Sequence, residues 1–147
     1  MKCQRGVVLL SALVLSLLLG LLATSALSNA LMETRMTGYM RDGLLALEEA
    51  EAALQAGESE LKRATPDLCT ACMPPARSHD LAGQWQGTQD GYFHLQNLGP
   101  SKRAQATLFR VTAVSKQTQS RHVLEAVYAV ADGTTRRVSW RQILRGD

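Results

Sequence analysis

Apolar residues run from Val7 to Ala23 with only Ser11, Ser16 and Gly20 between them, and no charged residue occurs between Arg5 and Glu33. A helix that crosses a bilayer needs about 20 predominantly apolar residues, and Val7 to Ala26 supplies that length. Hydroxyls such as those of Ser11, Ser16, Thr24 and Ser25 return to helix carbonyls and do not end a helix. The pattern predicts a transmembrane segment over residues 7–30. The period then changes. Residues 31–63 contain no proline and are rich in Ala, Leu, Glu and Met, all good helix formers. Met36, Met40, Leu44, Leu47, Leu54 and Leu61 recur mostly at spacings of three, four and seven. They predict an amphipathic helix with one buried stripe, with Glu48, Glu49, Glu51, Glu58 and Glu60 over much of the other face. Gly38, Gly43 and Gly57 each cost about 1 kcal/mol relative to Ala in a helix. Bending or loosening is expected at Gly38 and Gly43, and Pro66 ends the element. A helix unbroken from Val7 to Arg63 would be roughly 85 Å long at 1.5 Å per residue.

Beyond Pro66 the pattern is of turns and then of strands. Residues 64–105 hold Pro66-Asp67, Pro74-Pro75, Gly83, Gly87, Asp90-Gly91 and Gly99-Pro100, which predict a long irregular connection with one short strand at 92–96. Residues 107–115, 122–131 and 137–144 are strand-like, and Asp132-Gly133 marks a turn between the last two. The expected product is α+β. A small antiparallel sheet of three or four strands, residues 64–147 with their variable loop, would pack one face on the second half of the long helix. Core candidates are Leu108, Val111, Val114, Val123, Leu124, Val127, Val130, Val138, Trp140 and Ile143.

Length and charge narrow the class. The chain has 147 residues, 16.0 kDa and a formal charge of +3, enough for one compact domain plus an accessory segment. Aromatics are 5%, too few for a base-stacking platform, and the charge is too mild for a dedicated nucleic-acid binder. Lys2 and Arg5 precede the apolar run, so the positive-inside rule holds the N-terminus in the cytoplasm and places the chain beyond Ala30 on the other side of the membrane. Three fates of the run compete: a signal peptide cleaved near Thr24-Ser25-Ala26, an uncleaved anchor, or a prepilin-type leader cut after Gly6. Gly6 lies between the charges and the apolar run rather than after it, which is the detail that separates the third from the first.

The chemical candidates are few. Cys69 and Cys72 are separated by Thr70 and Ala71 alone. In an oxidising compartment they are expected as a disulfide, closing a loop too short for a large entropic effect. A thioredoxin-like site would need a βαβ setting that is not visible, and zinc would need ligands beyond His79. His79, His94 and His122 lack metal spacing, Asp67, Asp80 and Asp90 make no calcium loop, and neither a nucleophile elbow nor a phosphate loop occurs. No enzyme, metal or cofactor is expected. Lys102-Arg103, Arg110, Lys116, Arg121, Arg136-Arg137, Arg141 and Arg145 make the C-terminal half basic. That is the composition of a solvated sheet face, with attraction to an anionic surface as the functional alternative.

Arg5-Gly6-Val7-Val8-Leu9-Leu10, the Leu-rich run, the segment Met32 to Asp42 and the block Ala46 to Glu58 together resemble the PilX-type minor pilins of type IV pilus systems. The resemblance covers residues 5–58. It implies a leader of residues 1–6, cleavage by a prepilin peptidase between Gly6 and Val7, and methylation of the new Val7 amine. It further implies a membrane half of the long helix over 7–30 and an assembly half over 31–63. Partners would be other minor pilins and the major pilin, met through the helix. The subunit would wait in the inner membrane and then prime or cap a pilus used in adhesion and twitching motility. Two positions depart from the family pattern: Val7 stands where Phe is common, and Ser11 where most members carry Glu. A carboxylate in hydrocarbon is costly unless paired, so a subunit with none ahead of it has no use for that Glu. Ser11 in this sense resembles the GspK-type tip pseudopilins of type II secretion. A tip component of that system, or an anchored or secreted periplasmic binding domain, are the alternatives.

Overall fold

The computed structural model describes residues 3–70, 72–103, 105–117 and 120–145. Its elements are helix α1 (Cys3–Arg63), a 3-10 turn (Ser78–Asp80), and strands β1 (Gln86–Gly87), β2 (Gly91–Ser101), β3 (Ala106–Ser115), β4 (Val123–Ala131) and β5 (Thr134–Ile143). The chain divides into two compact units, Met1–Met40 and Arg41–Asp147. The architecture is α+β. The described residues of the first unit are helix alone. In the second, α1 packs on a five-stranded antiparallel sheet in simple meander order, β1-β2-β3-β4-β5.

The helix meets the sheet through small residues. Ala50, Ala53, Leu54 and Leu61 of α1 join Phe93 of β2, Phe109, Val111 and Ala113 of β3, and Leu124, Ala126 and Tyr128 of β4 in one core. Gly57 sits at the closest approach: a Cβ there would lie 2.5 Å from Val111 Cγ1 and 3.2 Å from a ring carbon of Phe93. The buried stripe of α1 is therefore Ala46, Ala50, Ala53, Leu54, Gly57 and Leu61. Of the six apolar positions expected to form it, Leu54 and Leu61 are buried and Leu47 packs at the margin, whereas Met36, Met40 and Leu44 are exposed. Size explains the error. An alanine- and glycine-lined stripe brings a helix closest to a sheet, and a search for large apolar residues passes over it. Gly38 and Gly43 lie inside α1 with no break in the assigned helix.

The sheet exceeds expectation in strand number and length. β2 runs through Gly99-Pro100, a pair expected to turn. Leu98 is an extra residue there: Asn97 pairs with Phe109 and Gly99 with Leu108. Gly99 takes φ +89°, the left-handed region that only glycine adopts cheaply. Such a bulge lets a strand pass through turn-forming residues without ending. The expected core members Val138 and Trp140 are 51% and 45% exposed. Val138 is the extra residue of a second bulge, between the pairs Val127–Ser139 and Tyr128–Arg137. The main core cluster draws on α1, β2, β3 and β4, so Val138 and Trp140 of this last strand have no layer above them, whereas Ile143 is partly buried beside residues 73–75.

Candidate functional site

Two regions carry the positions singled out in the sequence. In the first unit Val7, Leu9, Leu13, Leu17, Leu22 and the other large aliphatic side chains of the run are all exposed. Helix α1 is long and apolar enough to cross a membrane. Of the four hydroxyls expected to return to helix carbonyls, two do so: Ser11 Oγ donates to Val8 O at 2.9 Å and Thr24 Oγ1 to Leu21 O at 2.9 Å. That internal pairing is what a helix surrounded by hydrocarbon requires. Gly6 and Val7, the expected cleavage pair, are consecutive helical residues, and a Cβ on Gly6 would meet nothing within 4 Å. Lys2, the first leader cation, lies outside the described residues.

The second region is the sheet face turned away from α1. Alternation places Gln96, Arg110, Glu125 and Arg141 there on four successive strands, β2 to β5. Glu125 is buried between two guanidiniums. Arg141 Nε donates to its Oε1 at 2.9 Å, and Arg110 Nε lies 3.4 Å from its Oε2 without hydrogen-bond alignment. A buried carboxylate is tolerable only when paired in this way. Arg110 also donates through Nη1 to Cys72 O at 2.8 Å, and Gln96 Nε2 donates to Met73 O at 2.9 Å. The polar row thus binds the backbone of the segment that comes after the helix. Arg110, expected as part of a solvated basic face, is a structural cation held beneath that segment.

Cys69 and Cys72 form the expected disulfide, with Cα atoms 5.4 Å apart. Residues beside it are fastened to the start of the β2 bulge. Cys69 N donates to Asn97 O at 3.0 Å, Leu68 bridges Asn97 in parallel, and Asn97 Nδ2 donates to Pro66 O at 3.0 Å. Asn97 gives no warning in the sequence because its role depends on chain 31 residues away. The nearest signal is its place two residues before a glycine.

His79 stands at the far end of the same segment. Burial holds its imidazole below the usual value of 6.5, and the neighbouring Arg145, Arg121 and His122 add to this while Asp80 opposes it. Arg121 also donates to His79 O at 2.6 Å. On the helix side, burial first and Glu58 second push the Tyr128 phenol up to about 12. His94 Nδ1 meets Gln84 O at 2.6 Å, beside Trp85, and His122 Nδ1 meets Gln142 Nε2 at 2.7 Å. His79 and His122 line one pocket while His94 lies elsewhere beside Trp85, and among the described residues no cluster of three or more His, Cys, Asp or Glu is placed to hold a metal. Comparison with protein-family models, with curated proteins and with solved structures returns no match.

Proposed function

We propose that this chain is a minor pilin of the PilX type, which waits in the inner membrane and then helps prime, or sits at the tip of, a type IV pilus. The observation that carries the reading is the make-up of α1. One helix begins with a fully exposed aliphatic surface and ends as the alanine-lined core helix of a small sheet domain. An exposed aliphatic surface of that extent needs lipid or other apolar helices around it. Moving it from bilayer to helix bundle changes one apolar environment for another, so little net hydrophobic energy opposes the transfer in either direction. Leader removal after Gly6 frees the Val7 amine, and Ser11, with its hydroxyl turned back on its own helix, offers no carboxylate to a subunit ahead. That suits a subunit at the leading end.

The experiment is a Gly6→Ala substitution in the native host. Nothing surrounds Gly6 for a methyl group to disturb, so a change in processing reads the peptidase and not the fold. The expected result is an unprocessed chain retained in the membrane and a fall in surface pili. Normal processing and normal piliation would overturn the proposal.

A further inference from the structure

The two edges of the sheet are treated differently. The β2 edge is covered twice, by β1 at Tyr92 and Phe93 and by the post-helix segment through Leu68 and Cys69 at Asn97. Strand β5 forms the other edge, and nothing among the described residues pairs with its outer side. Such an edge presents a row of unpaired N–H and C=O groups, a template for another strand. Its bulge at Val138 divides it into regular runs over residues 134–137 and 139–143, the second the longer. At the end of that run lies a groove of about 570 Å³ between β5 and residues 73–80. Met73, Pro74, Pro75 and Ile143 give it an apolar wall, and Arg77 and Arg145 lie on its lining. Neither arginine forms an ion pair among the described residues. The acidic groups nearby are Asp80 and the buried Glu125, which Arg110 and Arg141 already hold. Burial is the first cause of the depressed basicity of His79, and Arg145 and Arg121 add to it while Asp80 opposes it.

From these features we infer that β5 and its terminal groove are a docking site for an extended, acidic segment of a partner protein. The segment adds as a sixth strand along residues 139–143 and seats a carboxylate side chain between Arg77 and Arg145. Edge addition supplies main-chain hydrogen bonds, and the groove supplies selectivity. The chemistry excludes a second copy: two β5 strands side by side bring Arg136, Arg137, Arg141 and Arg145 near their own kind, and like charges across strands are destabilising. Charge on an edge is a known guard against self-association, and here it leaves the edge open to a strand of opposite sign. A nucleic acid fits less well, because it has no use for backbone amides or for a wall of Met73, Pro74 and Pro75.

The test uses the full chain in neutral-lipid nanodiscs and a fluorescent peptide that alternates Glu with Val. Controls are the same peptide with Lys for Glu, one with Pro for every Val, and a DNA duplex of equal charge. Fluorescence anisotropy should show binding of the acidic strand-forming peptide alone. Amide hydrogen exchange should slow in β5 and not at Gly87. Arg77→Glu with Arg145→Glu should weaken binding about tenfold or more, with an unchanged circular dichroism melt as the check on folding. Equal binding of the proline peptide or of DNA would make the groove a general anion surface and overturn the inference. So would absence of binding, or dimerisation of the chain through β5.

Discussion

Gly57 shows how a residue that looks like a defect becomes a requirement. In an isolated helix its replacement by Ala gains about 1 kcal/mol. Here the added methyl would meet Val111 and Phe93 inside a packed core, and overpacking of that kind costs about 1–3 kcal/mol. Gly57→Ala should therefore lower the melting temperature. Gly43→Ala, where a Cβ meets nothing, should leave it unchanged or raise it. Circular dichroism melts of the two variants separate packing from propensity. Glu125 is the second decisive residue. Its change to Gln leaves the mostly buried Arg110 without its anion, and breaking a buried pair costs about 3–5 kcal/mol. The loss should appear in urea denaturation as a lower midpoint.

At the scale of elements, the segment after the helix is held at several independent points: the disulfide, the Asn97 clamp, the Gln96 and Arg110 hydrogen bonds, and the Arg121 bond to His79 O. Reducing Cys69–Cys72 removes the closure of a very short loop, about 2 kcal/mol in the chain-entropy account. Melts with and without reductant should differ modestly, with the sheet retained. His79 gives this segment a pH dependence. The unfolded imidazole takes its proton near 6.5, and the folded one resists it because burial and Arg145 disfavour the charge. The unfolded state thus binds more protons between the lowered value and 6.5, and stability rises with pH across that window and is level above it. Melting at about pH 5 should be lower than at about pH 7.5, and His79→Gln should reduce the difference.

The elements differ in how far the sequence disclosed them. The long helix was legible from period and composition because its signals are local. β3, β4 and the turn at Asp132-Gly133 were legible for the same reason. The extent of β2 was not, because Gly99-Pro100 reads as a turn until the bulge beside it is seen. The exposure of Trp140 was hidden too, since alternation along a strand cannot tell whether another layer lies above it. The Gln96–Arg110–Glu125–Arg141 row joins four strands, and no spacing along one chain reveals such a contact. Cys69 and Cys72 could be paired in advance because they are close in sequence.

For the whole molecule, the account rests on a division of labour. The exposed aliphatic unit, Met1–Met40, has a surface suited to lipid and to other helices. The unit Arg41–Asp147 has its own core and carries the polar row and the open β5 edge. Under the proposed function the first, once residues 1–6 are removed, is kept for life, as anchor and then as part of a filament. Intact-mass spectrometry of the chain recovered from native membranes tests this most directly. The account predicts a mass short of residues 1–6 and heavier by one methyl group, with Val7 at the N-terminus. A chain that begins beyond Ala26, or one that keeps Met1 through Gly6, would contradict it.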